Sequence, residues 1–243
     1  MPIWMLNLTV VRHKRSKHMN LFKQTEGSEI FLEEFGMPFA STPVSAETLA
    51  KYRGKLPDRL LEYWQEFGFC GFKDGIFWLT NPEDYEDILA EWLPEDELKK
   101  KKHYVIARSG FGELFVWNSE LGNEYEISSL WGWILKRDIH FSDWIRDGRA
   151  DEVIDIFIGS NRYEELDTQD NDGNPLFQRC VELWGPLAEN EMFTFAPYPF
   201  ISDSQTLDAI RKADLFINFD IVRQMIEPEI LTTRDLLRKG WGI

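Results

Sequence analysis

The hydrophobic period changes along the chain, and that change constrains the fold more than any single motif. From His103 the stretch HYVIARSGFGELFVWNSELGNEYEIS alternates with a period of two, interrupted at Ser109 to Gly112 and at Leu121 to Asn123. This pattern predicts three strands joined by tight turns, an antiparallel meander. Upstream the period is helical. Leu60, Leu61, Trp64 and Phe67 recur on one face after Leu56-Pro57-Asp58, with proline in the first turn and Gly68 as the stop. Asn81-Pro82-Glu83-Asp84 opens a second helix with an N-cap, a first-turn proline and acids suited to the helix dipole; Tyr85, Ile88, Leu89 and Trp92 form its apolar face. Between these helices, Ile76 to Leu79 reads as a short strand after the turn dipeptide Asp74-Gly75. The aromatic stretch Phe67 to Trp78 then reads as a helix-to-strand junction, with Cys70 as filler among rings.

Downstream, LWGWIL (130–135) is followed by helical spacing at Trp144, Ile145, Val153, Ile154, Phe157 and Ile158. Asn174-Pro175 is expected to cap a helix carrying Phe177, Cys180, Val181 and Trp184, closed by Gly185-Pro186. Glu191 to Pro197 reads as a strand. Ser202 to Ser204 is expected to cap a last helical region running through Leu207, Ile210, Leu215, Ile217, Ile221 and Met225. Helices, meander and helices in that order predict an α+β chain with helices packed on an antiparallel sheet and a second, smaller, mainly helical α+β unit. The expected division is 1–20 as an N-terminal extension, 21–140 as the first domain and 141–243 as the second.

The chain has 243 residues and a formal net charge of -15, so it repels nucleic acid and acidic membrane surfaces and attracts basic partners. Two cysteines, Cys70 and Cys180, do not make a disulfide framework and suit a reducing, cytoplasmic setting. No apolar run approaches the length of a membrane-spanning helix. In MPIWMLNLTVVRHKRSKHMN the cations follow the apolar run, the reverse of a secretory signal. Those first residues read as sequence upstream of a start at Met19, as a solvated basic tail or as a docking arm, the tail being the commoner role of four exposed cations.

Motifs for chemistry are weak. A thiol nucleophile would need Cys70 beside His103 or His140, yet Cys70 sits among phenylalanines and Cys180 on an apolar stripe, the setting of inert packing cysteines. Asp167 to Gly173 has the oxygen-rich look of a calcium loop. With Gly173 at the sixth position, however, Thr168 and Arg179 fall where acids are required. Cys70 and Cys180 do not have zinc-ligand spacing. Ser109-Gly110-Phe111-Gly112 lies between strands and has no P-loop lysine, and Lys99 to Lys102 reads as a solvated turn. The expectation is no catalytic residue, no cofactor and no metal. What remains is acidity, in Glu83, Asp84, Glu86, Asp87, Glu91, Glu95, Asp96 and Glu97, and again in Glu164, Glu165, Asp167, Asp170 and Asp172. Clustered carboxylates steer a cationic partner.

The residues also carry a family resemblance. Phe31-Leu32-Glu33-Glu34-Phe35-Gly36, Leu56-Pro57 with Leu60-Leu61 and Trp64, Gly68-Phe69, Asp74-Gly75-Ile76-Phe77-Trp78 and Asn81-Pro82-Glu83-Asp84-Tyr85 resemble the GAD-like domain. Trp184-Gly185-Pro186-Leu187 with Glu191 to Pro197 is similar to the small domain that trails it in bacterial antitoxins. The chain departs from that pattern at Ile201-Ser202-Asp203-Ser204, where the family often has a glycine pair. The resemblance implies a cytoplasmic immunity protein of a type VI secretion system, protecting against an injected toxin that in this architecture is commonly a DNase. On that expectation the listed carboxylates steer the basic toxin, and exposed aromatics such as Trp92 or Tyr198 anchor it. A small cysteine- or histidine-dependent enzyme, or an adaptor for another basic partner, is the alternative.

Overall fold

A computed structural model of the chain describes residues 22–100, 103–138 and 140–239. The N-terminal basic run, and Lys101 and Lys102 of the lysine run, lie outside the described residues. The architecture is α+β: a mainly antiparallel eight-stranded sheet with helices on both faces, and a separate two-stranded sheet.

Helix α1 (Glu26–Phe35) begins at a capping box in which Thr25 and Ser28 bond each other's backbone amides. Strand β1 (Phe39–Thr42) and helix α2 (Ala46–Tyr52) lead to α3 (Asp58–Phe67), the helix expected from the Leu60, Leu61, Trp64 and Phe67 spacing. Gly68 ends α3 at φ 78°, and a Cβ there would lie 2.5 Å from the Thr42 carbonyl oxygen, so both conformation and the approach of β1 demand glycine. The aromatic stretch that follows is more than a junction. Phe69–Phe72 is a buried strand, β2, paired with β1 and with β3 (Phe77–Leu79) in the register Cys70 to Leu79. Its Gly71 lies beneath the rings of Phe39 and Trp78, which is why glycine interrupts the apolar run and hides the strand period.

A single 3-10 turn, Pro82–Tyr85, enters α4 (Glu86–Trp92), and α5 (Glu95–Leu98) follows. The meander is present as β4 (His103–Ser109), β5 (Glu113–Asn118) and β6 (Gly122–Ser128), and β7 (Trp133–Lys136) extends it. Along β5, Leu114 and Val116 point to one core and Phe115 and Trp117 to the other, so the sheet is covered on both sides.

After α6 (Ser142–Arg146), helix α7 (Ala150–Ser160) packs on α1 and α3. Its crossing with α1 is glycine on glycine: a Cβ on Gly27 would stand 2.3 Å from the Asp155 carbonyl oxygen, and one on Gly159 2.6 Å from the Gly27 Cα. Arg59 of α3, buried, bonds Asp155 at 2.9 Å and gives its backbone N–H to Asp151 at 2.8 Å, tying α3 to the same helix.

Helix α8 (Tyr163–Leu166) precedes α9 (Phe177–Trp184), and here the expected cap is corrected. Asn174-Pro175 lies outside the helix start and contributes no side-chain cap. Asp167 reaches across the loop instead, accepting from the amides of Thr168, Leu176 and Phe177 at 2.7, 3.2 and 2.8 Å. Strand β8 (Glu191–Phe195) is as expected, but the single last helical region is not. Ile210–Asp214 is β9, paired antiparallel with β8, and only then does α10 (Leu215–Met225) begin, capped by Asp214 and not by Ser202 or Ser204. Strand β10 (Glu229–Thr232) returns to lie parallel to β7, followed by α11 (Thr233–Lys239). The core beneath α1, α3 and α7 runs from Phe31 to Ile210, drawing on residues from both ends of the chain.

Candidate functional site

Helices α4 and α10 cover the sheet face opposite α1, α3 and α7. Ile88, Leu89 and Trp92 of α4 turn inward, as do Leu215, Phe219 and Val222 of α10. Ring pairs join the two helices: Tyr85 with Phe216 at 5.3 Å and Trp92 with Phe219 at 5.2 Å. Arg223 of α10 donates from Nε to the Glu91 carbonyl at 2.9 Å, which fixes the helices side by side.

The outward sides of this pair differ in chemistry. Glu83 and Asp84 on the entering turn, and Glu86, Asp87 and Glu91 on α4, are all exposed. On α10, Ile217, Ile221 and Met225 follow one another at a spacing of four and remain 59%, 43% and 48% exposed. The apolar stripe thus runs beside an acidic ridge, with Asp220 exposed on the same helix. Carboxylates in the ridge act on one another. Partial burial and then the charge of Glu83 hold Asp84 above its ordinary range, offset in part by an Asn81 hydrogen bond. Glu189, before β8, is likewise raised by burial and then by Asp84. A cation placed there would relieve that repulsion. Lys51 already pairs with Glu83, leaving the α4 acids to solvent.

The sequence placed these α10 residues in one helical region with Leu215, without saying which side it buries. The helix is apolar on more than one side, so spacing alone does not choose the inward one. Two partner-binding expectations are corrected in turn. Trp92 is only 3% exposed and packs on Phe219, so it cannot be a surface anchor. Glu97 is 8% exposed and belongs to an internal ion network. Tyr198 is half-buried, stacked on Phe200 at 5.1 Å, and donates its hydroxyl hydrogen bond to Asn218 at 2.9 Å. Glu95 and Asp96 are exposed on α5, where Glu95 pairs with Lys99 at 2.9 Å.

The second acidic run does not join the ridge. Asp167 is occupied by the amides at the α9 start, and Leu166, Leu176 and Phe177 beside it belong to the opposite core. Asp170 pairs with Arg179 at 2.6 Å and accepts from the Asp172 and Asn174 amides, so its carboxyl is drawn down to about 2, chiefly by Arg179. Asp172 alone of the three is exposed.

Candidate chemistry elsewhere resolves into structure. Cys70 is fully buried in the aromatic core and burial pushes its thiol up to about 12; Cys180 is also pushed up to about 12, by burial and then by Asp167. His103 packs its ring 5.6 Å from Tyr125, in the core of the other face, so thiol and imidazole are not brought together. His140 is exposed. His103 Nε2 lies 3.0 Å from Glu124 and 3.0 Å from the Asn118 amide nitrogen, with Glu97 at 3.9 Å. Burial works to raise Glu124, but the His103 contact and Lys136 bring it below its ordinary value. The donor atoms of Glu97, His103 and Glu124 lie within 4.8 Å of one another, close enough for a metal ion. Lys136, 3.5 Å from Glu124, and Lys100, 2.7 Å from Glu97, supply the positive charge such an ion would bring, so the residues fit an ion network better than a metal centre. Ser109 Oγ accepts from the amides of Phe111 and Glu113, making the glycine-containing turn a hairpin.

Residues 26–131 match the GAD-like domain. The chain is similar in structure to Atu4351 from Agrobacterium tumefaciens, known as a crystal structure, with a TM-score of 0.72 and 23% identity over 84% of this chain and 92% of that one; the likeness is one of fold. Comparison with curated proteins returns no match. Among the described residues no helix is long and apolar enough to cross a membrane.

Proposed function

We propose that this chain is an immunity protein that binds and neutralises a basic toxin delivered by a type VI secretion system, acting by docking and not by chemistry of its own. The GAD-like match over residues 26–131 supports the class, and one observation carries the mechanism: the acidic ridge of α4 beside the bare aliphatic stripe of α10. A nuclease that grips a phosphate backbone carries a cationic surface, and it would be drawn to a chain of net charge -15. Charge speeds and orients the encounter, while desolvating Ile217, Ile221 and Met225 holds the complex. Seated on a nuclease's cationic cleft, the acidic ridge would occlude it or hold it out of shape. Such an encounter would take place in the cytoplasm, where an injected nuclease finds its substrate.

Expression of the adjacent toxin gene in a susceptible cell, with and without this protein, tests the reading. Rescue together with co-purification is expected, and continued killing without complex formation would overturn it. Under this reading Cys70→Ala still rescues, with a change in stability only; loss of rescue by a folded Cys70→Ala chain would favour a thiol enzyme.

A further inference from the structure

On the face away from the acidic ridge, between the sheet and α7, lies a cavity of about 510 Å³. Its walls include Phe115 of β5, Trp133 of β7 and Phe157 of α7, with Leu236 of α11 closing another part. Into this apolar recess the sheet register brings two carboxylates. Phe115 stands opposite Glu126, and Glu113 opposite Ser128, so Glu113 and Glu126 are diagonal neighbours on one face of β5 and β6. Arg137, just past β7, bonds Glu126 and is the cation in the lining; Glu165 of α8 adds a further carboxylate, itself exposed.

Three acids therefore share one guanidinium, which bonds Glu126 through its terminal nitrogen while its Nε is buried without a partner. Glu113 answers by holding its proton: burial, then the charge of Glu126, push it up to about 8, with the Ser109 hydrogen bond and Arg137 only partly opposing. Asn123 lines the same cavity, is 8% exposed, and has its Oδ1 buried without a hydrogen-bond partner. The cavity thus offers hydrogen-bond acceptors in excess, enclosed by aromatic faces that favour a cation over a neutral group.

We propose that this cavity binds an organic cation, a primary ammonium or guanidinium on a short apolar stem, with Glu113 and Glu126 as its acceptors and the aromatic walls around the stem. The cation displaces the Glu113 proton, so binding releases about one proton per site near neutral pH. The same chemistry could come from a free amine or from a lysine or arginine side chain. Because the cavity and the α4–α10 surface lie on opposite faces, the proposal stands or fails independently of the docking reading.

Calorimetric titration of the full chain with n-butylammonium and n-butylguanidinium, against n-butanol and butyramide as neutral counterparts, tests it. The cations are expected to saturate one site and bind at least about tenfold tighter than the neutral probes, with heats that depend on the buffer's ionisation enthalpy. Below pH 8 affinity should rise with pH, because the Glu113 proton competes with the cation. Glu113→Gln keeps the shape and the neutral charge of the protonated acid, and is expected to lose at least about tenfold in affinity and the pH dependence. Glu126→Gln is expected to weaken binding and, by removing a charge that helps hold the Glu113 proton, to reduce the proton release near neutral pH. Competition by N-acetyl-lysine methylamide assigns the site to protein side chains; failure of that blocked lysine while butylammonium binds assigns it to free amines. Equal binding of cationic and neutral probes, stronger binding of Mg2+ than of either alkyl cation, or unchanged affinity in folded Glu113→Gln would overturn the proposal.

Discussion

The two faces of the main sheet solve different problems. Beneath α1, α3 and α7 the core is built from rings: Phe31 meets Phe72 and Phe77 at 4.9 and 5.1 Å, and Phe115 meets Phe157 at 5.6 Å. Beneath α4 and α10 the core is smaller and the covering helices keep apolar and acidic residues facing outward. The first face spends its hydrophobic surface on cohesion. The second leaves part of it exposed, and an apolar stripe rimmed by charge is what a partner surface looks like. High aromatic content therefore says little about where a protein of this kind makes contact.

The comparison is broken most directly by removing a ring from the first face. Phe77→Ala is expected to cost about 3–5 kcal/mol, read as a lowered urea midpoint, while on the proposed docking reading the salt dependence of toxin binding by the remaining folded fraction stays the same. Next comes the stripe. Ile217→Asp with Ile221→Asp should change stability by no more than about 0.5 kcal/mol, yet weaken toxin affinity about 10- to 100-fold by competition titration. Equal losses in stability and affinity would mean that α10 serves the core alone.

Charge reversal of Glu86, Asp87 and Glu91 to lysine should lower the association rate about tenfold at low salt and leave the dissociation rate nearly unchanged by stopped flow. At high salt the variant and the native chain should converge. The last test concerns a single group, Glu113. Folded, it titrates near 8 against an ordinary 4.5, so the native state keeps a proton that the unfolded chain releases between those values. Its contribution is intact below about pH 4.5, is lost as pH rises toward 8, and levels off beyond. Glu113→Gln cannot ionise, so it should match the native chain at pH 4 and exceed it in stability at pH 9 by equilibrium unfolding.

Much of this was legible along the chain. Helices α3 and α4 and strands β4 to β6 are specified by local signals: a proline at or near the start, a stop glycine, and a period of two between turn residues. Strand β2 was not legible, because Gly71 and consecutive rings buried on both sides erase the alternation. The α9 cap was missed because Asp167 acts from beyond the loop, 10 residues before the Phe177 amide. For the surface, acid counts identified the ridge, but nothing local separated the free carboxylates of α4 from Glu97, Asp167 and Asp170, which are bound internally.

By itself the sequence determined the net charge, the α+β class and the elements whose hydrogen bonds close over short spans. Tertiary structure alone decided that Ile210–Asp214 is a strand, that β10 joins β7 in parallel, that Ile217, Ile221 and Met225 face out while Trp92 faces in, and that Glu113 and Glu126 share one cavity. The physical reason is common to all of these. Backbone pairing between distant strands, and the choice of which helix side to bury, are settled by the partner surface available, and that surface exists only once remote segments have packed.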